Sequence, residues 1–182
     1  MSATEHCYTI RPALSDDKDA LEQLIEISAR GLSREDYTAS EIEAAVAHIF
    51  GVDSELIADG TYFAVVRGEE YLACGGWSKR RTLFGGDQFA GRESGLLDPA
   101  AEAAKIRAFF VHPDHARQGI GAALLIHCEE EAREHGFTRI EMMATLPGVK
   151  LYRAFGYEAE AMVTTKVPGG GEVRFMPMRK NL

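Results

Sequence analysis

The residue types best suited to chemistry stand in one run, Phe109-Phe110-Val111-His112-Pro113-Asp114-His115-Ala116-Arg117-Gln118-Gly119-Ile120-Gly121-Ala122. It reads as an apolar strand, a tight loop and a helix start built on glycine. Gly119 and Gly121 take away side chains that would hold a ligand off the backbone, and the first-turn amides of a helix have no partner inside it. The helix dipole favours negative charge at that end, and Arg117 adds a permanent cation. Together these features make a phosphate cradle. No Lys follows Gly121, which excludes the P-loop spacing, and the three-glycine dinucleotide fingerprint is absent.

The run resembles the pyrophosphate loop of the GNAT superfamily of N-acetyltransferases, a pattern of Arg or Gln, two residues, Gly, one residue, then Gly or Ala. Ala116 departs from the first position, and Arg117-Gln118, Gly119, Ile120 and Gly121 follow in register. Downstream, Lys150-Leu151-Tyr152-Arg153-Ala154-Phe155-Gly156-Tyr157 resembles the family's second landmark, Leu-Tyr, three residues, Gly, aromatic. The resemblance is detailed from Ile106 to Tyr157. The Asn that many members carry before Leu-Tyr is missing from Thr145-Leu146-Pro147-Gly148-Val149.

The resemblance implies a single α/β (α+β) domain over residues 1–182, with a mixed, mostly antiparallel central sheet flanked by helices and splayed where the coenzyme enters. It implies acetyl-CoA-dependent N-acetyl transfer to a primary amine of a small molecule. A protein lysine or N-terminus is the alternative acceptor, and a non-catalytic acyl-CoA-binding or sensing domain is the alternative class. By the same resemblance the backbone of Phe109, Phe110 and Val111 pairs with the pantetheine arm, while Arg117, Gln118, Gly119, Ile120, Gly121 and Ala122 hold the pyrophosphate. Backbone near Gly148 would replace the missing Asn. Tyr152 falls where many members donate a proton to the coenzyme A sulfur, and core packing is its rival role.

A free primary amine with a pKa near 10.4 must shed a proton before attack, at about 4–5 kcal/mol near neutrality. Glu102, Glu141, Asp87 and Glu93 are the candidate bases, and a solvated surface charge is the alternative for each. His112 and His115 invite a metal reading, but zinc needs three or four convergent ligands and no partner cluster appears, so no metal is expected. Trp77 and Phe84 are candidates for an acceptor pocket, Lys150 and Arg153 for the coenzyme phosphates; core packing and solvated helix positions are the respective alternatives.

Composition bounds the partners. The chain of 182 residues is 46% hydrophobic and 26% charged, with a net charge of −8. An acidic body of 28 acids against 20 bases argues against nucleic acid and points toward cationic small molecules. No stretch reads as a leader or a membrane span, so a cytoplasmic protein is expected, and a homodimer is compatible with the reading. Cys7, Cys74 and Cys128 are too far apart for a disulfide framework, and Cys128 falls on an apolar helix face as a small hydrophobe.

The positioning elements follow from periodicity. Tyr8 to Arg11 reads as a strand, after which Ser15 or Asp16 caps a helix with Leu21, Leu24, Ile25 and Ser28 on one face. A second helix is predicted from Ser40, with Glu43 completing a capping box and Gly51 as the stop. Tyr62–Arg67 and Tyr71–Trp77 form a hairpin about Gly68-Glu69-Glu70. Lys79 to Ala103 has no period and is expected to be a lid over the acceptor site, or else a surface insertion. Lys105 to Val111 is the central strand, followed by a helix that ends at Gly136, with Leu124, Leu125, Cys128 and Ala132 on its stripe. Thr138–Thr145 then makes a strand, Gly148–Phe155 a short helix, and Tyr157–Thr165 with Glu172–Met178 a final hairpin.

Overall fold

The computed structural model describes residues 8–182; Cys7 and the six residues before it lie outside the described residues. β1 (Thr9–Pro12) leads through a 3-10 turn into α1 (Lys18–Leu32), α2 (Ala39–His48) and α3 (Ser54–Asp59). The hairpin of β2 (Tyr62–Arg67) and β3 (Glu70–Ser78) precedes β4 (Ala104–Val111), α4 (Ile120–Glu134) and β5 (Arg139–Ala144). α5 (Val149–Ala154), β6 (Glu158–Ala159), β7 (Val163–Lys166) and β8 (Glu172–Asn181) complete the chain. The sheet runs β1-β2-β3-β4-β5-β8-β6, with β7 paired to β8. Only β4 and β5 pair in parallel, so the expected mixed, mostly antiparallel sheet between helices is what the chain forms. No helix among the described residues is long and apolar enough to cross a membrane.

Period-2 alternation sorts β2 between two cores. Phe63 and Val65 pack with Leu124, Leu125 and Cys128 of α4, whereas Tyr62 and Ala64 pack with Leu21, Leu24 and Ile25 of α1. Trp77 belongs to the first core: it is fully buried, and its indole N–H reaches Glu131 at 3.3 Å. It lines no acceptor pocket, contrary to one of the sequence readings.

Two local departures have clear causes. The capping box of α2 is Thr38 with Glu41, not Ser40 with Glu43. Both pairs have the required spacing, but buried Tyr37 fixes the chain entry by donating to the Arg174 carbonyl (2.7 Å) and accepting from the Leu146 amide (3.0 Å). Glu43 instead pairs with Arg30 on the surface. α3 is not expected from periodicity, because six residues are too few to show one. Asp53 starts it by accepting from the amides of Glu55 and Leu56.

Two features of β4 open a cleft on one side of the strand and bend its backbone on the other. It pairs with β5 only at Ala104–Ile140 and Lys105–Glu141, then the strands diverge and leave a wedge between them. On its other edge, Phe110 faces Cys74 while Arg107 faces Gly76, so β4 holds one residue more than β3 across that interval. The bulge places Ala108 at φ 47°, and the fully buried Tyr62 pins it by donating its hydroxyl to the Ala108 carbonyl at 3.0 Å.

Candidate active site

The wedge between β4 and β5 is continued by the start of α4 and by α5 into a cleft of about 390 Å³. Phe109, Phe110, Val111, Arg117, Gly119, Gly121, Ala122 and Tyr152 all line it, so eight of the ten sequence-predicted residues meet there. The other two do not reach it with their side chains. Ile120 is packed in the core, and Gln118 turns away to donate its amide to the Asp114 carbonyl at 3.1 Å. Loop position, on which both were expected, specifies backbone and not side-chain direction.

The cradle has the geometry its sequence suggested. Gly119 caps α4 at φ 82° with no side-chain capping bond, and Arg117 takes the left-handed φ of 64°, rare for a residue with a side chain. The first bond into the helix is Ala123 N–H to the Gly119 carbonyl at 2.9 Å, so the amides of Ile120, Gly121 and Ala122 have no intrahelical partner. Successive amides in such a turn form an anion-binding concavity. A Cβ on Gly121 would stand 3.3 Å from Leu151 and 3.4 Å from Val111, so this glycine keeps the floor of the cleft open between β4 and α5.

Several lining residues escaped the sequence reading. Ser28, Ala29 and Leu32 of α1 and Ser33 at its end close the far wall, and Thr145 joins Gly148, to which the sequence points, on the near side where the family's Asn is missing. The α1 residues carry no motif, since their role follows from how the helix packs. Lys150 lines the cleft as expected, whereas Arg153 does not.

Tyr152 stands at the junction of this cleft with a smaller cavity of about 50 Å³, and it lines both. Its ring packs 6.2 Å from Phe109 and 5.8 Å from Tyr157. Burial, and then the nearby Cys128 thiol, push its phenol well above the usual range, so it stays protonated and able to donate.

The second cavity is walled in part by Phe84, Gly85 and Gly86 of the irregular segment. That wall is fastened. Gly86 N–H donates to the Ile49 carbonyl (2.7 Å) and Asp87 N–H to the Val52 carbonyl (3.0 Å). Arg107 from β4 donates to the Thr82 and Gly85 carbonyls at 3.0 and 2.7 Å and pairs with the buried Asp53 carboxylate, while Arg92 also holds Asp53.

None of the four candidate bases lines either cavity. Glu102 pairs with Arg81, Glu141 with Lys105 and Asp87 with Lys18, while Glu93 is exposed, its backbone bound to the Thr82 hydroxyl. Three of the four carboxylates are thus held in ion pairs, and the solvated surface role describes Glu93 alone. The acidic net charge likewise has no counterpart in the cavity walls. His112 caps the loop by accepting from the Asp114 amide, and His115 pairs with Glu70 at 2.7 Å. Among the described residues no group of three His, Cys, Asp or Glu is placed to hold a metal ion.

Comparison with known proteins agrees with this geometry. The model of the acetyltransferase (GNAT) family matches residues 21–157. The GCN5-related N-acetyltransferase of Rhodopseudomonas palustris superposes with a TM-score of 0.73 at 19% identity over 100% of both chains. The PaiA N-acetyltransferase of Thermoplasma acidophilum, solved with coenzyme A, gives 0.64 at 14% identity, again over 100% of both. The acetyltransferase yncA of Salmonella typhimurium, solved with acetyl-CoA, gives 0.62 at 17% over 96% of this chain and 94% of its own. No curated protein sequence matches the chain significantly. What these structures share with this chain is the fold, a mixed, mostly antiparallel sheet between helices. The chain belongs to the acetyltransferase (GNAT) family, and its reaction is an acetyl transfer.

Proposed function

We propose that this protein is an acetyl-CoA-dependent N-acetyltransferase, acting as one domain on the primary amine of a small molecule. The carrying observation is Tyr152, which lines both the larger cleft and the smaller cavity. A group that only bound coenzyme would need no proton donor at that junction.

Acetyl-CoA supplies a thioester-activated acetyl group. Arg117 and the free amides at the start of α4 bind its pyrophosphate, and the β4 backbone from Phe109 to Val111, released from β5, orients the pantetheine arm as a neighbouring strand would. A backbone amide of β4 beside the wedge polarises the thioester carbonyl. The amine nitrogen forms the new C–N bond as the C–S bond breaks. Tyr152 gives its proton to the departing sulfur, and the proton lost by the amine passes to solvent and restores the phenol. Thr145 and Gly148 serve the coenzyme arm in place of the missing Asn. The fastened wall leaves a narrow pocket, not an open groove for a protein chain, which favours a small acceptor.

The test is calorimetry with acetyl-CoA followed by thiol release across a panel of amines. Micromolar binding with amine-dependent thiol release is expected. Binding without release for any amine would replace the enzyme by a sensing domain.

A further inference from the structure

Rings and thioethers make up much of the acceptor cavity's wall, beside Thr145, Tyr152 and Arg107. Phe84 packs 5.3 Å from Phe175, Phe50 lies 6.3 Å from Phe175 and 5.2 Å from Phe110, and Met142 and Met143 fill the β5 side. No Asp or Glu lines it. Its one permanently charged lining residue, Arg107, is 2% exposed and already committed to two loop carbonyls and to Asp53.

From this we infer that the acceptor is a monoamine on an apolar body, an alkylamine or arylalkylamine, and not a polyamine or a lysine-bearing peptide. The inference deepens the transferase reading and rests on it. A second ammonium group brought into this cavity would lose its hydration and meet no carboxylate, whereas an alkyl or aryl body replaces water against Phe84, Phe175 and Met143. At about 50 Å³ the cavity holds several times the volume one water molecule needs, enough to seat the part of the substrate next to the nitrogen. The same apolar walls act on the reacting nitrogen. They disfavour its protonated form, so the amine enters neutral without a carboxylate base beside it. The acidic exterior, which by itself points to cationic substrates, thus leaves the choice of acceptor to the cavity.

The experiment compares kcat/KM by thiol release for hexylamine, 2-phenylethylamine, spermidine and a lysine-containing peptide, for the parent protein, Phe84→Ala and Phe84→Leu. Acetyl-CoA affinity of all three forms is measured calorimetrically. Phe84 lines the acceptor cavity and not the coenzyme cleft. The expected result is that the two apolar amines exceed spermidine and the peptide by at least about tenfold. Phe84→Ala should raise KM for the apolar amines by about 10- to 100-fold at unchanged acetyl-CoA affinity, with Phe84→Leu restoring most of the loss. Preference for spermidine or the peptide overturns the inference and leaves the transferase reading standing. The absence of thiol release with every amine, while acetyl-CoA still binds, overturns both.

Discussion

Tyr152 shows how much a residue-scale motif can say. Leu151-Tyr152 with Gly156-Tyr157 marks the position, but the phenol's place at the junction of two cavities depends on Gly148, where a Cβ would meet its ring at 2.8 Å. Tyr152→Phe keeps the ring packing and removes the donor. Acetyl-CoA affinity should hold while kcat falls by about 10²–10⁴; a normal kcat under conditions where chemistry limits turnover would end the assignment. The pH profile follows from the same site. With Tyr152 held protonated by burial and no carboxylate lining the cavity, kcat/KM should climb with unit slope from about pH 6 to 9. A plateau beginning near pH 6–7 would reveal a base elsewhere. Gly121→Glu, by contrast, puts bulk and negative charge between Leu151 and Val111, and calorimetry on the folded variant should show no acetyl-CoA binding.

At the scale of elements, strands and the longer helices were legible because their patterns are local: alternation in β2, the apolar stripe of α4, the glycines at its start. What was not legible is what long-range contacts decide. Nothing near Ala108 announces a bulge, since the pin is Tyr62, 46 residues away in sequence. Lys79 to Ala103 lacks a period because its order comes from guanidinium groups and backbone bonds to the α2–α3 link, not from a repeating apolar face. Arg107 and Asp53 are both fully enclosed, so their pairing holds the loop wall only while both charges are present. Asp53→Ala strands the Arg107 charge and uncaps α3. Urea titration should show a loss of about 3–5 kcal/mol; a loss under about 1 kcal/mol would mean that the loop carbonyls alone satisfy Arg107.

For the molecule as a whole, one joint sensitive to acid lies between α2 and the C-terminal strand β8. Glu41 accepts from Arg174 at 2.6 and 2.9 Å and from the Thr38 amide at 2.9 Å, so one carboxylate both caps α2 and ties it to the strand. The Arg174 guanidinium is the main cause that brings the Glu41 carboxyl from its usual value of 4.5 down to about 2. A carboxyl with a lower pKa when folded stabilises the fold above its unfolded value and loses that contribution as pH falls toward the folded one. The Glu41 contribution is therefore complete above about pH 5 and fades between pH 4.5 and 2. Arg174 is partly exposed, so solvent and salt screen the pair and the effect is modest at physiological ionic strength. Glu41→Gln keeps a side chain able to complete the capping box and removes only the charge. Its urea midpoint should lie below that of the parent at pH 7, with the gap closing as pH approaches 2. A gap that stays constant across that range would assign the role of Glu41 to packing and capping instead of to the charge it shares with Arg174.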